Sequence, residues 1–219
     1  MGSSGQYPRG LGHCYSSNGP HQRVLSRQVY TLACRCFIRV HRRIQLGKAI
    51  GAPAIYATVA TQKKVELCQS LGATAAWNYW ESDWEQEVKA ATKGKGVDII
   101  IDFVEQKYFQ KNLNSAARDG RIVIIGLLSG AKISNEQNDI DLSHFVTKRL
   151  RVEGSRLRSR DLKYQRALRG RLVKDALPGF LDGRLKVRIE EDFDWNEIQA
   201  AHRLMESNTI MGKIVCRVT

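Results

Sequence analysis

Four residues, Thr61-Gln62-Lys63-Lys64, follow the apolar run at 53–60 (PAIYATVA) and bring two ammonium groups and no carboxylate. Where a buried strand turns into a helix, an acid suits the hydroxyls of a ribose, whereas cations suit a phosphate on its 2′ oxygen. A second place is defined by what it lacks. A glycine-rich turn lets backbone N–H groups reach a pyrophosphate at a helix N-terminus. The segment that should supply it, residues 36–43 (CFIRVHRR), contains no G-x-G-x-x-G. Arg42 and Arg43 have the charge to neutralise phosphate, but their side chains fill the space glycines leave open. Nucleophile and metal chemistry find less support. The five His are scattered, with His202 read as structural, and no Ser/His/Asp or Cys/His arrangement stands out. Cys34-x-Cys36 with His41 and Cys14 has no standard ligand spacing, so no metal is expected.

The elements that must position these groups alternate along the chain. Residues 45–51 are helix-like and end on glycine, and 53–60 is a buried strand. Residues 62–71 carry Val65, Leu67, Cys68 and Leu71 as a helical stripe, with Gly72 as the cap. A short strand at 75–79 and a helix at about 84–92 follow, the latter with Ser82 as its expected N-cap. The turn at 93–96 leads into the strand 97–103 (VDIIIDF); then come a helix at 108–117, the Asp119-Gly120 turn and a strand at 121–127 (RIVIIGL). Residues 151–157 offer a fifth strand, 162–180 are mostly helical, and 195–218 read as helix, turn and strand. Strands apolar along their length and separated by helices imply a parallel sheet covered on both faces, a doubly wound α/β fold of Rossmann type.

The formal net charge is +13, and it is unevenly spread. Residues 1–43 hold seven Arg, no Lys and no acid; the first acid in the chain is Glu66. Three of the five Cys lie in the same opening segment, while Cys68 and Cys216 read as buried thiols. An odd Cys count without a secretory signature points to a reducing compartment, and the cytoplasm is expected. No run approaches the ~18 apolar residues of a membrane span.

Taken in order, five segments resemble the zinc-independent medium-chain reductases, the NADPH quinone oxidoreductases, and among them the p53-inducible type. They are residues 44–79, the GVDIIIDF strand, the DGRIVIIG strand, the LRSRD segment at 157–161, and the end EIQAAHRLMESNTIMGKIV. The resemblance implies a dinucleotide-binding domain over 44–160. It makes 161–219 the helices and strand that in relatives pack on a GroES-like N-terminal domain, which is not recognisable here. Members also carry a strand and a glycine-rich loop before the helix, a place filled here by residues 36–43, so the domain is expected to be incomplete, with a boundary at Ile44, and the enzyme truncated and impaired. It implies NADPH as cofactor and a quinone-like small molecule as partner, with hydride passing directly between them and no zinc. Lys64 and Tyr79 match the pair that holds the 2′-phosphate. Gly126, Leu127 and Leu128 match the backbone run beside the nicotinamide, and Ser155 and Arg156 a further cofactor-contacting turn. Val104-Glu105 stands where members carry Val-Gly.

Read without the resemblance, the same residues have plainer roles. Lys63 and Lys64 are then solvated first-turn residues, Tyr79 a packed aromatic, and the glycine and serine positions ordinary turns. For residues 1–43 three readings stand side by side: out-of-frame coding sequence joined to a truncated reductase, a mitochondrial transit peptide, or a basic arm that binds nucleic acid. The net charge and the run Arg156-Leu157-Arg158-Ser159-Arg160 motivate a rival to the enzyme, a non-catalytic basic α/β remnant that binds nucleic acid or a protein partner. Apolar Ile214, Val215 and Val218 on the last strand lead us to expect a homodimer.

Overall fold

The computed structural model describes residues 29–33, 37–104, 106–130, 140–207 and 209–218. Strands and helices alternate: β1 (Val29–Ala33), α1 (Phe37–Ala49), β2 (Ala54–Val59), α2 (Gln62–Ser70), β3 (Ala75–Asn78), α3 (Trp84–Ala91) and β4 (Val97–Asp102). Then follow α4 (Phe109–Ser115), β5 (Ala116–Ile124), α5 (Ser143–Thr147) and β6 (Arg151–Gly154). These strands form one six-stranded sheet in the order β3-β2-β1-β4-β5-β6, and every pairing is parallel. The order reverses between β1 and β4, which opens a crevice at the carboxyl ends of the strands.

Alternate residues of each strand face opposite layers. Ile55, Ala57, Val59, Ile99 and Ile101 pack with Val40 and Ile44 of α1 and with Val65 and Cys68 of α2. Tyr56, Ile100 and Ile122 pack on the other side with Trp84, Val88 and Leu113. The two clusters are the two coats of a doubly wound sheet.

Two expectations about the start of the sheet are corrected. The break in composition at Ile44 is not a break in structure, because α1 crosses it. Residues 37–46 contain neither Gly nor Pro, and Val40 and Ile44, four residues apart, are both fully buried. Ahead of α1, β1 sits at the centre of the sheet, paired with β2 on one side and β4 on the other. The remaining expectations on residues 1–28 and 34–36, including Cys14, Cys34 and Cys36, fall outside the described residues.

Smaller corrections follow from local hydrogen bonding. Asp83, not Ser82, occupies the N-cap of α3, and its side chain makes no capping bond. Ser82 Oγ instead donates to the Asn78 carbonyl (3.0 Å), and the Asp83 carboxylate pairs with Lys111 (2.8 Å). The turn at Asp119 lies within β5, with Asp119 in the left-handed region at φ 62°. Cys68 is buried as expected, but Cys216 is only half-buried.

The chain ends in a smaller lobe: α6 (Leu162–Asp175), α7 (Leu177–Leu181), β7 (Ile189–Asp194), α8 (Ile198–Glu206) and β8 (Lys213–Arg217). β8 was expected; β7, its parallel partner, was not. The sequence of β7 (IEEDFD) has four carboxylates in six residues, a loop-like composition. Basic residues outside the strand compensate them, with Arg217 on Asp192 at 2.7 Å and Arg188 on Glu190 at 3.2 Å.

One cap ties the layers together. The Lys148 ammonium donates to the carbonyls of Leu113 (2.9 Å) and Asn114 (2.8 Å), at the C-terminal end of α4. Lys148→Met keeps the stem and removes both bonds. A loss of about 1–2 kcal/mol is expected in urea denaturation.

Candidate functional site

Because every strand of the main sheet runs the same way, their carboxyl ends share one edge. At its β2–β3 corner, Thr61 is the N-cap of α2, its Oγ1 accepting from the Lys64 N–H at 3.4 Å. That cap turns the first turn of α2 so that Thr61, Gln62 and Lys63 are exposed and Lys64 is buried, 5% exposed. The solvated reading therefore holds for Lys63 and fails for Lys64. Tyr79 follows β3 directly, and its N–H donates to the Val59 carbonyl at the end of β2 (2.9 Å). Its ring meets Tyr108 edge-on at 6.3 Å and lies 5.3 Å from Trp80. The fold thus brings Lys64 and Tyr79, fifteen residues apart in sequence, to the same strand end. No acid lies among residues 59–65 that join β2 to α2.

The other half of the edge is built from the ends of β4, β5 and β6. The Ile125 N–H donates to the Asp102 carbonyl (2.9 Å), the Leu128 N–H to Phe103 (3.1 Å) and the Ser129 N–H to Val104 (3.0 Å). These bonds zip the loop after β5 onto the loop after β4. Glycine suits Gly126 in this approach, since a Cβ there would lie 3.1 Å from the Phe103 carbonyl oxygen and push the two loops apart by a few tenths of an ångström. Leu127 and Leu128 leave their side chains half-exposed. The Ser155 N–H donates to the Ile124 carbonyl (2.9 Å), which sets Ser155 and Arg156 beside the same loop. Glu105 lies outside the described residues. Of the Arg-rich run, Arg160 places its guanidinium 4.7 Å over the Tyr164 ring.

The sequence reading missed a residue that orders this half. Asp102, at the end of β4, is fully buried. One carboxylate oxygen accepts from the Val104 N–H and the other from the Asn112 amide, each at 2.7 Å. An acid ending an apolar strand just before a turn was the available signal.

Arg42 and Arg43 do not stand in an open pyrophosphate turn; they project from α1. The Arg43 guanidinium lies 4.4 Å over the Phe103 ring. Both line a cavity of about 750 Å³ bounded by α1, the ends of β4 to β6 and the C-terminal lobe. Gln45 closes its base by exchanging two hydrogen bonds with the Lys186 backbone, at 3.0 and 2.7 Å.

His41, on the same helix, is buried, and burial, then Arg42, then Arg188, hold its pKa below the ordinary imidazole value. The unfolded chain therefore binds a proton near pH 6.5 that the native state refuses. Stability is full above that value and falls as pH drops through it toward the lower native pKa. His41→Gln is expected to flatten this slope between about pH 7 and pH 5 in thermal melts, relative to the parent.

Among the described residues no group of three or more His, Cys, Asp or Glu is placed to hold a metal ion. Among them, too, no helix is long and apolar enough to cross a membrane.

The reversed strand order, the cation-bearing corner after β2 and the glycine-closed loop after β5 together define a Rossmann-type dinucleotide-binding domain. Residues 42–170 match the family described as zinc-binding dehydrogenase (ADH_zinc_N), and the chain belongs to that family. Among its relatives, a 2-haloacrylate reductase of Burkholderia is 26% identical over 179 residues, covering 80% of this chain and 51% of the relative. Quinone oxidoreductase-like protein 2 of Bos taurus is 25% identical over 172 residues, covering 78% and 48%. The crystal structure of Escherichia coli quinone oxidoreductase complexed with NADPH superimposes with a TM-score of 0.72 at 23% identity, over 87% of this chain and 57% of that one. The chain thus spans about half the length of the curated relatives it matches.

Proposed function

We propose that this chain is the cofactor-binding part of an oxidoreductase of the NADPH:quinone reductase type, taking hydride from NADPH to a quinone or enone. The observation that carries the reading is the buried Lys64 in the first turn of α2, at the same strand end as Tyr79, where no carboxylate is present to hold a ribose diol. An ammonium withdrawn from water recognises a phosphate more strongly than a solvated one does. Lys64 and Tyr79 hold the 2′-phosphate, and Gly126, Leu127, Leu128, Ser155 and Arg156 flank the nicotinamide. The two groups lie at the ends of β2 and β5, three strand spacings or roughly 14 Å apart, a span an extended dinucleotide bridges.

The bound dihydronicotinamide supplies the hydride, so the protein needs no nucleophile. Its own residues orient the ring against the loop after β5, and the apolar part of the cavity wall keeps water from it. Free Cys68 and Cys216 fit a reducing compartment, and we assign the protein to the cytoplasm. Ile214 and Val215 are only half-buried and Val218 is 78% exposed, which supports a homodimer through the small lobe. Light scattering should find a dimer there, and a monodisperse monomer would remove that part of the proposal.

Trp77, Trp80 and Trp84 surround Tyr79 in sequence, so titration followed by tryptophan fluorescence reads this corner. NADPH is expected to bind roughly tenfold or more tighter than NADH, and Lys64→Met to erase the difference. NADPH binding no tighter than millimolar would overturn the cofactor assignment.

A further inference from the structure

The cavity beside α1 is lined by five cations, Arg42, Arg43, Arg156, Lys186 and Lys213, and by no carboxylate. Arg43 rests on Phe103; Arg42, Arg156, Lys186 and Lys213 have no ion pair with an acid among the described residues, and Arg156 is shared with the turn proposed to flank the nicotinamide. These cations come from three places distant in sequence: α1, the turn after β6, and the lobe that carries Lys186 and Lys213. Like charges converging on one partly enclosed space repel, and a bound anion relieves the repulsion. The rest of the wall is mainly apolar, with Phe103, Leu157, Leu172 and Phe180 among its residues. A small inorganic ion satisfies the charges and leaves this wall wet. A neutral quinone covers the wall and leaves the charges unpaired. A ligand that satisfies both has a flat apolar body and an anionic group.

We infer that the cavity selects an anion, a conjugated or aromatic carbonyl compound that bears a carboxylate. Within the proposed reaction this makes the hydride acceptor a charged compound and not a neutral quinone. That the ligand is the hydride acceptor rests on the proposed oxidoreductase reading; the binding preference does not. Lys186 is exposed and Lys213 half-buried, and both line the cavity whereas Lys64 and Tyr79 do not, so they set specificity without belonging to the cofactor corner.

The test compares 2-naphthoate with its neutral counterpart 2-naphthamide by calorimetry on the 219-residue chain. The double variant K186Q/K213Q is measured in parallel, its fold checked by circular dichroism. Each titration is run with and without saturating NADPH. The naphthoate should bind at least about tenfold tighter than the amide, and the double variant should lose most of that preference. NADPH, proposed to lie against Ser155 and Arg156 of the same cavity, should leave the preference for naphthoate over the amide in place. Equal affinity for the two probes, or a preference that survives in the double variant, overturns the inference. So does competition by NADPH, which would assign the cations to the cofactor's own phosphates. A chain that fails to bind NADPH but still prefers naphthoate refutes the cofactor assignment alone and leaves the anion site standing.

Discussion

Gly96→Val should cost about 3–4 kcal/mol of stability, a drop in Tm on the order of 10 °C for a chain of this size. Two effects add. Gly96 sits at φ +80°, in the left-handed region that a β-branched residue adopts only with strain of about 1–2 kcal/mol. A Cβ there would also lie 2.7 Å from the Ser115 carbonyl oxygen and 2.8 Å from the Ala116 carbon and Ala117 nitrogen. All three are backbone atoms at the junction of α4 and β5, which no rotamer change moves aside. Gly94 separates the two effects, since it has φ +76° and nothing within 4 Å of its Cβ direction. Gly94→Val should therefore lose only the backbone part, about 1–2 kcal/mol. Equal drops in Tm for the two variants by calorimetry would mean that the close approach of the β4 entry to β5 is absent.

Asp102→Ala is the second large effect, about 3 kcal/mol by urea denaturation. The carboxylate is fully buried and accepts from the Val104 N–H and the Asn112 amide. Its removal leaves two donors in the interior without an acceptor. Asn112 has already committed its orientation to this bond, because its Oδ1 is buried with no partner. Asp102→Asn keeps the shape but turns an NH2 toward one of the two donors, so it should recover only part of the loss. The loop held by Val104 also carries Phe103, the platform for Arg43, and receives Leu128. Asp102→Ala is accordingly expected to weaken NADPH binding as well as stability. Unchanged stability in both variants would show that Asp102 does not anchor this loop.

Several elements were readable because their burial is local. Residues 53–60 are an almost wholly apolar run and 97–103 are apolar apart from Asp98 and Asp102, and β2 and β4 fall inside them. The stripe Val65, Cys68 marks α2, and Thr61 before it supplies the cap. β1 and β7 were not readable, for two different reasons. β1 lies in an Arg-rich, acid-free stretch whose composition argued against a fold, and it is a strand because β2 and β4 flank it. β7 is acidic enough to look like a loop, and Arg217, more than twenty residues away, offsets one of its carboxylates. The site divides in the same way. Type and place single out Lys64, but nothing in the residues 61–64 shows that Lys64 alone of the four is buried.

By itself, then, the sequence determined the alternation of strand and helix, hence a parallel sheet, and the presence of cations where an acid would select the other cofactor. Both are encoded within spans of ten to twenty residues, where hydrophobic period and turn chemistry act. Only the tertiary structure decided that β1 enters the middle of the sheet, that the strand order reverses there, and that Arg42 and Arg43 meet Lys186 and Lys213 around one cavity. These follow from backbone hydrogen bonds between distant segments and from charges brought together by packing, as in the Gln45–Lys186 pair, 141 residues apart. Such long-range terms leave no trace in local spacing.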